Sequence, residues 1–225
     1  MARVARFASC RHCGPVTSTL VRGTTSNQSR DSARKGIAEA IGHTDSPVIA
    51  FLGTLTEQKR PSIFLRAAAC LSQVIRAQFL VFGRDGNVLC DLKQQTADLG
   101  IADFVTFTGF RHDVESLLSG CDLVMAPAIN EGHGRVLVEA MLHRVPVIAS
   151  DSGGHREIIR HRHTGLLVVP DDPEALAKAA LEILNDRPFR DAMVNTAWSW
   201  ANLTFSPTRH AEQVAGLYRK LLKIH

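Results

Sequence analysis

The sequence predicts an α/β fold with a doubly wound parallel sheet. From residue 47 onward, short apolar runs of strand length alternate with longer stretches in which apolar residues recur at helical spacing. This alternation is typical of a parallel sheet that is covered by helices on both faces. Several of the apolar runs also end in glycine, as expected where a strand gives way to a tight turn. We therefore expect a Rossmann-like sheet of about six strands, with any ligand bound beyond their carboxyl ends.

Each strand and helix of this fold has its own signal. Apolar runs predict strands at residues 47–53, 77–83, 103–109, 122–127, 145–150 and 165–169. Helical periodicity predicts helices at residues 61–76, 89–99, 113–119, 134–143, 154–160, 174–185, 189–201 and 208–222. Pro61 stands at the start of its helix, where the missing proline amide costs nothing.

Length and composition limit the class of protein. The chain has 225 residues, which is enough for one sizeable hydrophobic core. Hydrophobic residues make up 45% of the chain, and the mean hydropathy is close to zero. Both values are typical of a globular protein. No apolar run is long enough to span a bilayer. Scattered cysteines suit a reducing compartment and no export signal occurs, so we expect a cytoplasmic location.

The positive charge of the chain is concentrated near its start. Five of the 26 basic residues and none of the 22 acidic residues lie in residues 1–30, so the rest of the chain has 21 basic and 22 acidic groups. A nucleic-acid partner is therefore not expected. The start of the chain is rich in Ser and Thr and lacks hydrophobic periodicity, so residues 1–45 are expected to be a disordered or truncated leader. The folded domain is expected to cover residues 46–225.

The cysteines predict neither a zinc site nor a disulfide scaffold. Cys10 and Cys13 form a single CxxC pair, whereas a zinc site needs more ligands. Cys70, Cys90 and Cys121 are scattered through apolar segments and are expected to be buried thiols.

Three histidines form the other group that suggests metal binding. His155, His161 and His163 lie among arginines, which would repel a metal ion. We therefore expect them to belong to a solvated basic surface, and no metal site is predicted.

Glu139 is the least ordinary residue of the chain. It lies in a predicted helix that is otherwise mostly apolar, so the helix should be buried against the sheet. A carboxylate in such surroundings needs a partner, and no Lys or Arg follows at helical spacing because position 143 is His. The partner is either a core arginine or a ligand, such as the two adjacent hydroxyls of a ribose. The residues alone leave both alternatives open.

The start of the same helix predicts an anion site. The amides of Gly134, Arg135 and Val136 would lie at the positive end of the helix, where phosphate groups bind. A diphosphate above the helix start and a ribose beside its second turn are mutually consistent. No GxGxxG motif and no P-loop occurs, so a dinucleotide-dependent dehydrogenase or an ATPase is not indicated.

The spacing of motifs around Glu139 resembles a known family. EGHGRVLVEAM carries two glutamates in an E-x7-E pattern and is followed by VPVIASDSGGHREII and TGLLVVPDD. In this order the motifs closely resemble the C-terminal, donor-binding half of the retaining glycosyltransferases of family 4, which have the GT-B fold. The resemblance runs from about residue 48 to residue 222. It implies a single C-terminal half of a GT-B fold that binds a nucleotide diphosphate sugar, with UDP or GDP as the nucleotide.

The resemblance also implies roles for individual residues. Glu139 would hold the ribose hydroxyls and Glu131 the hydroxyls of the transferred sugar. Lys59 is in register with the family's diphosphate-clamping lysine and would act with Glu131 in catalysis. The other residues implied to bind the donor are Gly53, Arg60, Gly109, Phe110, Arg111, His133, Gly134, Arg135, Val136 and Leu137.

The diphosphate clamp is where the chain departs from the family's pattern. The family's loop reads approximately G-R-x-x-x-x-K, whereas residues 53–59 read GTLTEQK. Thr54 replaces the expected arginine, and Arg60 stands where glycine is common. The second cation is therefore missing, or its place has moved to Arg60.

The function implied by the resemblance is sugar transfer from a nucleotide diphosphate sugar with retention at the anomeric carbon. No metal or other cofactor is expected, since no Asp-x-Asp motif occurs. Family members carry an acceptor-binding domain upstream, so we expect that domain on a partner or in a longer chain, and membrane association only through a partner or a lipid acceptor. The alternatives are a non-catalytic nucleotide-sugar binding or interaction module and a sugar-nucleotide epimerase, although an epimerase would lack the E-x7-E pattern.

Overall fold

The fold is a six-stranded parallel sheet with helices on both faces. The computed structural model describes residues 27–42 and 45–222. The strands are β1 (Val48–Leu52), β2 (Gln78–Phe82), β3 (Val105–Gly109), β4 (Leu123–Ala126), β5 (Val147–Ser150) and β6 (Leu166–Val168). Neighbouring strands are parallel throughout the order β3-β2-β1-β4-β5-β6. The predicted α/β class and its strands are confirmed.

The strand order places a crevice between β1 and β4. The chain builds β1, β2 and β3 outward on one side and then returns to the other side of β1 for β4, β5 and β6. The connections therefore leave β1 and β4 in opposite directions, which opens a crevice at the carboxyl ends of these two strands.

The α-helices of the described chain surround this sheet. They are α1 (Asn27–Ile41), α2 (Pro61–Ser72), α3 (Leu89–Asp98), α4 (Val114–Leu118), α5 (Arg135–Leu142), α6 (His155–Ile158), α7 (Pro173–Asn185), α8 (Arg187–Thr204) and α9 (Pro207–Leu222). Short 3-10 helices span Glu57–Lys59 and Ala102–Phe104. Two predicted helices are shorter than expected: α2 ends at Ser72, and α6 is a single turn because Ile159 is already extended.

The sheet separates two hydrophobic cores. Ile49 and Phe51 of β1 pack with α2, α3 and α7 on one face, whereas Val48, Ala50 and Leu52 pack with α1, α4, α5 and α8 on the other. Successive side chains of a strand point to opposite faces, so a run of apolar residues serves both cores.

Helix α1 lies in the segment that was predicted to be a disordered or truncated leader. Ala33 and Ile37 of α1 are buried, and the helix packs against α4. Gly120, just after α4, permits this close approach, since a Cβ there would lie 2.8 Å from Ile37 Cδ1. The predicted boundary between residues 45 and 46 is therefore wrong for residues 27–42, which belong to the domain. The prediction for residues 1–26 lies outside the described residues.

Asp122 connects α1 to the sheet through hydrogen bonds. Its carboxylate accepts hydrogen bonds from Arg30 at 2.6 Å, from Arg34, and from the Val48 amide at 2.8 Å. Asp122 precedes β4 and Val48 begins β1, so this arrangement joins the helix to the amino ends of two central strands.

The three described cysteines have different environments. Cys121 is buried, and burial raises the pKa of its thiol to about 12. Cys70 is partly buried, whereas Cys90 is exposed on α3. The expectation of buried thiols is thus confirmed for Cys121 and wrong for Cys90, while Cys10 and Cys13 lie outside the described residues.

The last two helices differ in their contacts. Helix α8 packs on α5, whereas α9 presents apolar side chains to solvent: Val214, Leu217, Tyr218, Leu221 and Leu222. None of the helices in the described part of the chain has the length and apolar content that crossing a membrane requires.

Candidate functional site

Two adjoining clefts open at the carboxyl ends of the central strands. The first cleft, of about 300 Å³, lies between the loops that follow β1 and β4 and the start of α5. The second cleft, of about 240 Å³, lies between the ends of β1 and β2 and residues 110–114. The lining residues common to both are Leu52, Gly53, Thr54, Val136 and Glu139. The two clefts therefore form one elongated surface with α5 along its middle.

Glycines allow the ends of β1 and β2 to approach closely beneath these clefts. Gly53 has a φ of 149°, and its amide donates to the Phe82 carbonyl at 2.9 Å. A Cβ at Gly83 would lie 1.8 Å from the Gly53 carbonyl oxygen, so no larger residue fits there. These glycines thus serve a close backbone approach that the cleft requires.

Lys59 and Glu131 form an ion pair in the first cleft. Lys59 comes from the loop after β1 and Glu131 from the loop after β4, and both side chains are partly buried. Burial alone would raise the pKa of Glu131, but the hydrogen bond and the charge of Lys59 outweigh it, so the pKa lies below its ordinary value. Glu131 is therefore ionised at neutral pH.

The glycine pair after β5 holds the loop that carries Glu131. The Gly154 amide donates to the Glu131 carbonyl at 2.7 Å. Gly153 has a φ of 52°, and a Cβ at this position would lie 2.7 Å from the same oxygen. The pair is thus required because the turn after β5 passes directly against the backbone of Glu131.

The start of α5 faces the first cleft. Gly134 precedes the helix with a φ of 60°, and the helix begins at Arg135. The first amides of a helix have no acceptor within the helix, and they lie at its positive end. The exposed Arg135 side chain adds a full positive charge beside them. This part of the cleft is suited to an anion.

Glu139 lies one turn further along α5 and lines both clefts. Burial raises its pKa, the charge of Arg135 lowers it, and the charge of Glu115 raises it again, with a raised pKa as the result. Among residues 27–42 and 45–222, no side chain forms an ion pair or a hydrogen bond with the carboxylate. Of the two alternatives that the sequence left open, the core arginine is thus not found in the described chain.

The second cleft is apolar and is partly covered by a stacked pair. The Arg84 guanidinium carbon lies 4.2 Å from the centre of the Phe110 ring, and this ring is 50% exposed. Phe82 and Val114 supply apolar walls. Arg111 also lines the cleft and pairs with Asp113 at 2.6 Å. Such a surface can stack a flat heterocycle.

The structure does not bring every predicted donor-binding residue to the clefts. Arg60 lies outside both, and its guanidinium pairs with Asp171 at 2.9 Å. The suggestion that Arg60 takes the place of the missing cation is therefore not supported by this geometry. Gly109 ends β3 and lines a neighbouring groove rather than either cleft. Thr54, at the position of the family's arginine, lines both clefts.

The remaining predicted residues line the first cleft. Val136 and the fully buried Leu137 form its wall on α5. His133 is exposed and meets the edge of Phe205, with ring centres 5.9 Å apart. This contact ties the loop after β4 to the end of α8.

Sequence reasoning missed two polar residues of the clefts, and it also missed apolar wall residues such as Phe82 and Val114. Arg84 directly follows Gly83, and its position after a glycine-terminated strand was a usable signal. His155 was assigned to a solvated basic surface, yet it is 1% exposed and lines the first cleft. That assignment is wrong for His155, since it stands on the turn that packs against the Glu131 loop. Within the described residues, no three His, Cys, Asp or Glu side chains are arranged to hold a metal ion.

Fold and clefts together define an α/β domain with a ligand crevice at the switch point of a parallel sheet. The family this domain belongs to follows from its sequence: the chain is a member of the glycosyl transferases group 1, whose family model matches residues 34–200, more than half of the chain.

Curated relatives agree with this family. The chain is 31% identical over 194 residues to the alpha-D-kanosaminyltransferase of Streptomyces kanamyceticus, an alignment that covers 85% of this chain and 50% of that protein. It is 32% identical over 208 residues to the D-inositol 3-phosphate glycosyltransferase of Corynebacterium urealyticum, which covers 85% of this chain and 46% of that protein. The chain thus spans about half the length of these relatives.

Solved structures show the same architecture. Anabaena HepE in complex with UDP and glucose matches with a TM-score of 0.78 and 27% identity, over 84% of this chain and 52% of that one. The C-terminal domain of the group 1 glycosyl transferase LpcC from Francisella tularensis matches with a TM-score of 0.69 over 79% of this chain and 93% of that domain. At 22% identity the second likeness concerns the fold alone. The predicted single half of a GT-B fold is confirmed.

Proposed function

We propose that this chain is the donor-binding half of a retaining glycosyltransferase of family 4, which transfers a sugar from a UDP- or GDP-sugar to an acceptor. The observation that carries the proposal is Glu139. Its carboxylate lines both clefts, and no side chain of the described residues pairs with it. A ribose offers two adjacent hydroxyl donors, which would supply the hydrogen bonds that a half-buried carboxylate needs.

The two clefts fit the parts of a nucleotide diphosphate sugar one after another, from the base to the sugar. The base stacks in the second cleft beside Phe110 and Arg84, and the ribose sits at Glu139. The diphosphate then lies over the first amides of α5, next to Arg135 and Lys59, where helix dipole and side-chain charges favour an anion. The sugar reaches Glu131, whose ionised carboxylate accepts hydrogen bonds from hydroxyl groups.

Catalysis in this proposal depends on positioning and on charge. As the bond from the anomeric carbon to the diphosphate breaks, negative charge builds on the departing oxygen, and Lys59 and the α5 amides stabilise it. Glu131 fixes the sugar and holds Lys59 in place through their ion pair. In this proposal, as the resemblance implies, the departing phosphate accepts the proton of the acceptor hydroxyl on the same face of the sugar. The proposal requires no metal ion.

The acceptor is assigned to a second domain. The chain spans about half of the relatives named above, so we infer that the acceptor-binding half is a separate chain or an upstream part of a longer one. In this arrangement the domain works in the cytoplasm and meets a membrane only through that partner or through a lipid acceptor.

A non-catalytic nucleotide-sugar binding module is the second candidate. The observation that favours it is the composition of the diphosphate clamp, where Thr54 replaces the family's arginine and Arg60 is paired with Asp171. With one cation fewer at the departing diphosphate, the negative charge that develops in the transition state would be stabilised less than in a chain that has the arginine.

Donor turnover separates these two candidates. We would incubate the chain with UDP-glucose and GDP-mannose, alone and fused to the N-terminal half of the kanosaminyltransferase relative, and follow nucleotide release by 31P NMR in the presence of EDTA. With water as the acceptor, the proposed function predicts that the fusion releases the nucleotide together with free sugar, that the free sugar has the retained anomeric configuration before it mutarotates, and that Glu131→Gln loses this release. Nucleotide binding without release indicates the module. Release with inverted configuration contradicts the retaining mechanism.

A further inference from the structure

His155 is a buried residue of the first cleft to which the proposed function assigns no role. It is 1% exposed and begins α6, directly after the glycine pair that packs on the Glu131 loop. Its ring carbon Cδ2 would lie 3.0 Å from a Cβ placed on Gly134. The imidazole is thus held beneath the start of α5, between the Glu131 loop and the sheet.

The hydrogen bonding of His155 fixes its tautomer. Nδ1 lies 3.0 Å from the Ser150 carbonyl oxygen, and because a carbonyl only accepts, Nδ1 carries the proton. Burial lowers the pKa of the ring, and although the Ser150 carbonyl and Glu131 raise it and Lys59 lowers it further, the pKa remains below its ordinary value. The ring is therefore neutral at pH 7, and Nε2 presents a lone pair.

Within the described chain, no hydrogen-bond donor contacts this Nε2 lone pair. The Ser150 contact is the hydrogen bond that the ring makes, and it uses the opposite nitrogen. Among the described residues, the buried side-chain nitrogen and oxygen atoms that lack a hydrogen-bond partner include both ring nitrogens of His143. Nε2 of His155 is not one of these atoms, and His155 lines the first cleft although only 1% of the residue is exposed.

The surroundings decide which kind of ligand group Nε2 can take. A lone pair repels phosphate oxygens and carboxylates, and it accepts a hydrogen bond from a hydroxyl. The first cleft already holds one hydroxyl acceptor, the Glu131 carboxylate, whose charge acts on the His155 ring. Two acceptors on one side of a cleft match neighbouring hydroxyls of a hexose.

We propose that His155 Nε2 accepts a hydrogen bond from one hydroxyl of the transferred sugar, beside Glu131, and so selects donors that carry a hydroxyl at that position. This inference rests on the proposed function, because it takes the first cleft as the place of the donor sugar. It predicts that His155 contributes to recognition of the sugar and not of the nucleotide.

Two substitutions test the roles of the two ring nitrogens of His155 separately. His155→Asn keeps an amide N–H at the place of Nδ1, so it preserves the bond to Ser150 and removes Nε2. His155→Gln places an acceptor at the end of the side chain, near Nε2. The full 225-residue chain and both variants would be titrated by calorimetry with UDP, UDP-glucose and UDP-glucose analogues deoxygenated singly at positions 2, 3, 4 or 6. If the chain binds GDP instead, then GDP-mannose and its deoxy analogues take their place.

The expected result is a loss confined to the sugar. His155→Asn should weaken UDP-glucose binding by roughly two- to tenfold, the effect of one hydrogen bond, and leave UDP binding unchanged. For one of the deoxy analogues, the wild type and His155→Gln should show lower affinity than they show for UDP-glucose. His155→Asn should show the same affinity for this analogue and for UDP-glucose. Equal weakening of UDP and UDP-glucose would place His155 at the diphosphate and overturn the inference, as would unchanged binding of both.

A measurement on the wild-type chain covers the case in which a variant does not fold. Long-range 1H–15N spectra report the tautomer and the hydrogen bonding of His155. Nε2 should resonate as an unprotonated nitrogen and shift on addition of UDP-glucose but not of UDP. A protonated Nε2, or the same shift with both ligands, contradicts the inference. A wild-type chain that binds no nucleotide at all contradicts the proposed function itself, which keeps the two failures apart.

Discussion

At the scale of single residues, the candidate site contains a side chain whose environment lowers the stability of the fold when no ligand is bound. Glu139 is a half-buried carboxylate with a raised pKa and no ion-pair partner in the described chain. Lys59 and Glu131 satisfy each other across two loops. An unsatisfied group on a buried helix lowers stability, and such groups concentrate where a ligand supplies what the protein lacks.

The stability of the fold should therefore increase when Glu139 becomes apolar. Glu139→Met keeps the length of the side chain and removes the buried charge, so the free energy of unfolding in urea should rise by about 1 kcal/mol at pH 7. The raised pKa means that the folded chain binds this proton more readily than the unfolded chain, so Glu139 costs stability increasingly as pH rises through that pKa. The advantage of Glu139→Met should consequently shrink at acid pH.

The control for this experiment is Glu212→Met. Glu212 is exposed on α9, and its replacement should leave the free energy of unfolding within about 0.5 kcal/mol of the wild type. A Glu139→Met chain that is less stable than the wild type at pH 7 would show that the carboxylate has a partner in the fold.

Residues that line the clefts could be predicted from the sequence where their spacing and their chemistry pointed to the same place. Glu139 was singled out because a carboxylate lay in an apolar helix, and Lys59 and Glu131 came from the resemblance. The placement of Arg60 was not predictable, since its partner Asp171 lies 111 positions further along the chain. His155 was missed because its burial depends on packing of the turn after β5 against another loop.

At the scale of elements, the strands were easier to predict than the helix α1. A central parallel strand is apolar on both faces, so its signal is a continuous run. Helix α1 is polar except for a narrow stripe, and within residues 30–39, for which burial is described, Ala33 and Ile37 are the buried apolar residues. A helix of this composition resembles a polar leader, which explains the wrong boundary at residue 45.

Docking of α1 can be measured by removing one side chain. Ile37 is fully buried in the core between α1, α4 and the sheet. Ile37→Ala should lower the free energy of unfolding by about 2–4 kcal/mol, the usual effect of such a cavity. Lys35→Ala, at an exposed position of the same helix, is the matched control and should have little effect. An Ile37→Ala chain as stable as the control would mean that α1 is not part of the core.

The glycines at the strand ends give a second test at this scale. Gly83→Ala places a methyl group where the Gly53 carbonyl lies, 1.8 Å away, so we expect a loss of more than about 3 kcal/mol in the free energy of unfolding. Gly216 on α9 has open space around it. Gly216→Ala should stabilise its helix by up to about 1 kcal/mol. Tryptophan fluorescence in urea reports both, and a mild effect at Gly83 would refute the close approach of β1 and β2.

At the scale of the whole molecule, the order of the strands brings the pieces of the site together. Loops after β1, β4 and β5 meet at the switch point of the sheet, although their residues are widely separated in sequence. The pattern of alternating strands and helices was sufficient to predict that clefts would open at this edge. It could not reveal that the site divides into two clefts, because this depends on the Arg84–Phe110 pair and the path of α5.

The central claim is that these clefts hold a nucleotide diphosphate with its ribose on Glu139. The most direct test is calorimetric titration of the chain with UDP and with GDP, repeated on Glu139→Ala and on the exposed control Glu212→Ala. We expect saturable binding of one of the two nucleotides by the wild type and the control, and a loss of about 10- to 100-fold in affinity for Glu139→Ala, as for hydrogen bonds to a charged group. Binding of neither nucleotide by a folded chain, or equal affinity in Glu139→Ala, would contradict the claim.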